Sequence, residues 1–125
     1  VEIRDELGSK TLIFGNGDAK DLPDARAKAE ESGADGVMLG RAIFGNPWLF
    51  SEHIPSTEEK LLACIEHTNL FEELLGGIKS FNIMKKHYKA YVAGFEGSHE
   101  LRAKLMETGN AEEVEGVVAK FIRKE

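Results

Sequence analysis

The sequence predicts an α/β segment followed by an all-α one. Two short apolar, β-prone runs flank a helical run between Val1 and Phe50. Beyond Pro55, apolar residues recur three and four apart. The length of 125 residues suits one ordinary domain or two small ones. It falls short of the roughly 250 residues of a complete eight-unit barrel.

The first run, Thr11-Leu12-Ile13-Phe14, ends in Gly15-Asn16-Gly17-Asp18. Asp21-Leu22-Pro23-Asp24 opens a helix, because Asp caps and Pro is tolerated in a first turn. Ala25, Ala27 and Ala29 favour it, and Ser32-Gly33 stops it. The second run, Gly36-Val37-Met38-Leu39, ends in Gly40-Arg41. Run, helix, run is the order of a βαβ unit in a parallel sheet. Continuously apolar strands fit a sheet covered on both faces.

Pro47 and Pro55 bracket a junction. Ser56 and Glu59 have capping-box spacing. Leu61, Cys64, Ile65, Phe71, Leu74 and Leu75 form the stripe of a helix that stops at Gly76-Gly77. Ile78, Phe81, Met84, Tyr88, Tyr91 and Phe95 predict a second helix. Leu101 and Leu105 mark a short third, closed by Gly109. Asn110 and Glu113 open a fourth, lined by Ala111, Val114, Val117, Val118, Phe121 and Ile122. Such helices make a small four-helix bundle.

The net charge is −6, which argues against non-specific nucleic-acid binding. It averages two unlike parts. Residues 79–104 carry +4 and the remainder −10. Lys85, Lys86 and Lys89 share a helix face opposite the apolar stripe, which suits either an anionic partner or plain solvation. His87 sits among them, open to a phosphate or base contact or to half-burial. The two glycine turns fall at strand carboxyl ends, where parallel α/β proteins bind ligands. They are either phosphate loops, with Arg41 adding a charged contact, or simply tight turns.

No apolar run approaches the roughly 18 residues of a membrane span. No Cys/His spacing suggests a metal site. The single cysteine, Cys64, lies on an apolar stripe and reads as a buried thiol in a reducing, cytoplasmic setting.

Gly15-Asn16-Gly17-Asp18, then Gly33-Ala34-Asp35-Gly36-Val37-Met38-Leu39-Gly40-Arg41-Ala42 and Gly45-Asn46-Pro47-Trp48-Leu49-Phe50, resemble the end of the barrel of tRNA-dihydrouridine synthases. Met84-Lys85-Lys86-His87 with Tyr91 resembles the helical domain of the same family. The resemblance implies the last two βα units of a (β/α)8 TIM barrel over residues 1–52, then a helical tRNA-binding domain over residues 56–125. It implies reduction of the 5,6 double bond of tRNA uridines by NADPH through FMN. Asn16, Gly17, Asp18, Gly40 and Arg41 would hold the FMN phosphate. Lys85, Lys86, His87, Lys89 and Arg102 would face tRNA. The family's catalytic cysteine lies in a middle barrel strand and has no match here, so the chain reads as a C-terminal fragment, inactive alone, of an enzyme expected to be monomeric. Two other readings stand beside this one. One is the C-terminal part of another FMN- or phosphate-binding barrel oxidoreductase; the other is a stand-alone helical RNA-binding module.

Overall fold

The structure is a computed structural model that describes residues 1–51 and 53–123. It is mostly helical with one small parallel sheet. The chain divides into two compact units, Val1–Ile43 with Trp48–Glu52, and Phe44–Pro47 with His53–Glu125.

The first unit begins with a five-residue helix, α1 (Glu2–Glu6), that the apolar pattern does not announce. Its anchor is Arg4, which bonds Asp5 at 2.8 Å and also reaches the Asp35 carboxylate. Asp35 in turn accepts the Ile13 backbone N–H at 2.8 Å, while its own N–H donates to the Ile13 carbonyl. The Ile13 bond, helped by Arg4, holds the Asp35 carboxyl below its ordinary pKa. A chain contact across 31 residues therefore fixes α1, and no local periodicity encodes it.

β1 (Phe14–Gly15) and β2 (Gly36–Val37) pair in parallel, with Phe14 opposite Gly36 and Gly15 opposite Val37. Between them runs α2 (Leu22–Ser32). Asp21 caps it by accepting the Asp24 N–H at 2.8 Å, Pro23 lies in the first turn, and Gly33 ends it with φ +68°. The strand–helix–strand order matches the sequence reading. The strands are shorter than the apolar runs, however, and the expectation of a sheet covered on both faces fails. Leu12, Phe14 and Met38 are exposed, because a two-stranded sheet has too little flanking structure to cover them. A short 3-10 turn, Arg41–Ile43, follows β2.

The second unit contains α3 (Thr57–Leu75), α4 (Asn82–Tyr91), α5 (Ser98–Glu107) and α6 (Ala111–Ile122). Ser56 and Glu59 close the expected capping box at the start of α3. Asn110 caps α6 by accepting the Glu113 N–H at 2.9 Å. α3 packs on α4 and α6, and α5 packs on both of those. Their shared core holds Leu61, Cys64, Phe71, Met84, Tyr88, Leu101, Leu105, Val114 and Val118. Each Leu, Val, Met or Phe among them contributes about 1.5–3 kcal/mol of hydrophobic stabilisation when fully buried.

Two parts of the helical pattern differ from expectation. On α3 the buried line is Leu61, Cys64, Thr68 and Phe71, while Leu74 is 65% exposed. Thr68 takes a core position because its hydroxyl donates to the Cys64 carbonyl at 2.8 Å. The second helix covers only Asn82–Tyr91, leaving Ile78 and Phe95 outside. Ile78 sits in a turn that returns to Leu75, and it is 72% exposed. Phe95 follows the helix and packs on the Phe121 ring at 5.7 Å.

Gly45 explains part of the Gly45-Asn46-Pro47 segment. Its φ is +68°, and a Cβ there would lie 2.5 Å from the Ala90 carbonyl carbon and 2.8 Å from the Tyr91 nitrogen. Only glycine allows this backbone to approach α4 so closely.

Candidate nucleotide-binding and nucleic-acid-binding surfaces

In the first unit, the turns after β1 and β2 meet. Arg41 Nη2 lies 2.7 Å from Asp18 Oδ1, with both side chains largely exposed. Asp18 has φ +51°, a left-handed conformation that Asp tolerates better than branched residues. A Cβ built on Gly17 or Gly40 meets nothing within 4 Å, so the backbone at both turns is open to a ligand. Open backbone plus an exposed guanidinium with five N–H donors fits a phosphate. The Asp18 carboxylate partly offsets the charge of Arg41, and the pair is exposed and solvent-screened.

Asn16 and Gly17 also line a shallow groove of about 510 Å³ with Lys28, Glu31 and Ser32. That groove suits an anion poorly. It abuts the last turn of α2, the negative end of the helix dipole, and contains Glu31. Its lysine is already bonded to Asp24 at 2.6 Å. Gly40 and Arg41 do not line it. The phosphate-compatible surface is therefore the rim where Asp18 and Arg41 meet.

In the second unit, Lys85, Lys86, Lys89 and Arg102 line one groove of about 710 Å³ between α4 and α5. Among the described residues, none of the four forms an ion pair. Asn82, His99, Ala103 and Met106 complete the exposed lining. Sequence reasoning did not select these, although the signal was present. Residues 82, 85, 86 and 89, and residues 99, 102, 103 and 106, each follow the i, i+3, i+4, i+7 spacing of one helix face.

His87 points elsewhere. Its ring lies 4.9 Å from the His67 ring and 5.1 Å from the Phe44 ring. His67 Nδ1 is 3.1 Å from Tyr91 Oη. Burial, then the neighbouring His67 and Lys86, holds His87 below its ordinary pKa, and burial does the same to His67.

Cys64 is fully buried, and burial pushes its thiol up to about 12. It is a core side chain, not a nucleophile. Among the described residues no helix is long and apolar enough to cross a membrane, and no His/Cys/Asp/Glu group is arranged to hold a metal ion.

The family model for dihydrouridine synthase matches residues 1–124. Curated relatives agree with it. The probable tRNA-dihydrouridine synthase of Staphylococcus aureus strain Mu50 is 37% identical over 122 residues, covering 95% of this chain and 37% of the relative. The probable tRNA-dihydrouridine synthase 2 of Bacillus subtilis strain 168 is 35% identical over 128 residues, covering 98% of this chain and 39% of the relative. The corresponding Staphylococcus epidermidis protein is 34% identical over 122 residues, covering 95% of this chain and 37% of the relative. The chain thus spans under two-fifths of the length of these relatives.

Proposed function

The chain belongs to the dihydrouridine synthase family, and on that premise we propose that it is the C-terminal part of a flavin-dependent tRNA-dihydrouridine synthase. Residues 1–52 are then the last two βα units of the FMN-binding (β/α)8 barrel, and residues 56–125 the helical domain that holds tRNA. The observation that carries this reading is the groove lined by Lys85, Lys86, Lys89 and Arg102, four cations without ion-pair partners among the described residues. Cations gathered on one surface of an acidic chain, without acidic partners, favour an anionic partner there over a solvated face.

FMN, if bound, would supply the hydride chemistry for reducing the uracil 5,6 double bond, with NADPH as the reductant. The chain's own task at the flavin is to hold its phosphate. Asn16, Gly17, Asp18 and Gly40 would hold it through their turns, whose backbone at Gly17 and Gly40 is uncovered, and Arg41 would add charged donors. At the tRNA, Lys85, Lys86, Lys89 and Arg102 neutralise backbone phosphates, which positions the substrate without reading its sequence. His87 supports this surface from behind, through its ring contacts with His67 and Phe44. Cys64 is sealed in the helical core and cannot reach a uracil ring, so we place the proton donor in the part of the enzyme outside this chain. The working enzyme is a cytoplasmic monomer, and the chain alone is inactive.

The test uses the longer protein that carries this chain. Given FMN, NADPH and unmodified tRNA, it is expected to accumulate dihydrouridine. Flavin binding with tRNA left unreduced would assign the chain to another FMN barrel. Binding of tRNA without flavin would support the stand-alone RNA-binding module.

A further inference from the structure

We propose that the α4–α5 groove seats one unpaired RNA nucleotide, with its phosphate on Lys85, Lys89 and Arg102 and its base over Met106. The proposal rests on the tRNA reading above and goes further, because that reading requires only backbone contact. Two features of the groove point beyond a strip of charge. Met106, half exposed, and Ala103 supply an apolar patch within the cationic lining. The groove is open to solvent and, at about 710 Å³, has room for one nucleotide laid along it.

The chemistry separates the possible occupants. A paired helix presents phosphates and riboses outward and keeps its base faces stacked inside, so it gives Met106 no flat partner. An unpaired nucleotide offers both an anion and a π-face. Methionine's thioether is polarisable and packs favourably on such a face. Arg102 is half-buried and lines the groove, and its planar fork can clamp a phosphate with two donors. His99 and Asn82 also line the groove and add hydrogen-bonding groups to it. Charge alone would also admit an acidic peptide, but a peptide carboxylate brings no flat face to the apolar patch.

The test measures binding of a fluorescent oligouridylate and of a blunt RNA duplex to the chain, over a salt series. The variants are Met106→Ser and the double variant Lys85→Gln/Lys89→Gln. Met106 is half exposed, so its replacement leaves the fold intact, which circular dichroism checks. The expected result is that Met106→Ser weakens oligouridylate binding about threefold to tenfold, leaving the salt slope and duplex binding unchanged. The double lysine variant should weaken both RNAs and lower the salt slope by about 2. If Met106→Ser has no effect while the lysine variant does, the groove holds backbone only and the nucleotide seat is overturned, though the tRNA reading survives. If a polyglutamate peptide displaces the oligouridylate at lower concentration than unlabelled oligouridylate does, the groove is a protein site. If neither RNA nor intact tRNA binds, the tRNA reading itself falls.

Discussion

Arg41 Nη2 lies 2.7 Å from Asp18 Oδ1, and this contact joins the turn after β1 to the turn after β2. Both groups are exposed, so solvent screens the pair and it contributes little to stability. It sets the guanidinium beside the rim where the backbone at Gly17 and Gly40 is uncovered. Arg41→Ala is therefore expected to leave the melting temperature of the chain nearly unchanged. In the longer protein it should weaken FMN binding about 10- to 100-fold, the loss of a charged hydrogen bond. Flavin fluorescence titration measures this. Unchanged flavin affinity would remove Arg41 from the site.

Gly45 and Gly116 give opposite expectations for the same substitution. Gly45→Ala forces a Cβ into the Ala90–Tyr91 backbone from a left-handed φ. It should cost about 2 kcal/mol or more, seen as a lower denaturant midpoint. Gly116 lies inside α6 and a Cβ there meets nothing within 4 Å. Gly116→Ala should stabilise by about 0.5–1 kcal/mol through helix propensity. Equal effects from the two would contradict the close approach at Gly45.

The His67–His87 pair predicts a pH dependence. Both imidazoles have pKa values below 6.5 in the folded chain, so the unfolded chain binds protons more readily. The stability they contribute is complete above about pH 6.5 and is lost as pH falls through the depressed folded values. Melting temperature should therefore drop as pH falls below about 6.5, and His87→Gln should flatten that drop. The charged neighbour Lys86 acts in the same direction on His87, by disfavouring a second positive charge. A wild-type profile that stays flat below pH 6.5, with the variant superimposed on it, would contradict the partly buried pair.

Cys64 should be inert while the chain is folded. Its thiol is held up to about 12 by burial, so almost no thiolate exists at pH 8. Iodoacetamide should modify it only upon unfolding, and the modification rate should follow denaturant. Rapid labelling of folded protein would show that the α3 core opens.

The parts of the structure legible in the sequence are those set by local chemistry. Ser56 with Glu59, Asn110 with Glu113, and Asp21 with Pro23 each mark a helix start within four residues, and each helix begins there. What the pattern missed depends on contacts distant in sequence. Helix α1 is anchored by Arg4 on Asp35, and Gly45 is required by the backbone of Ala90. Ile78 and Phe95 fit the apolar spacing of the second helix, but the turn before Asn82 and the backbone after Tyr91 leave that helix between them. At the candidate sites, the basic face of α4 was readable as a face, whereas its pairing with Arg102, His99 and Met106 required knowing that α5 packs alongside. The inward turn of His87 follows from α3 bringing His67 to meet it.

The most direct measurement is the salt dependence of tRNA binding by the chain and by its Lys85→Gln/Lys89→Gln/Arg102→Gln variant. Each lost phosphate contact should lower the slope of log affinity against log salt by about 1. A variant with weaker binding and a slope reduced by about 3 places tRNA phosphates on the α4–α5 cations. Equal affinity and equal slope in both proteins would contradict it and leave those cations as a solvated face.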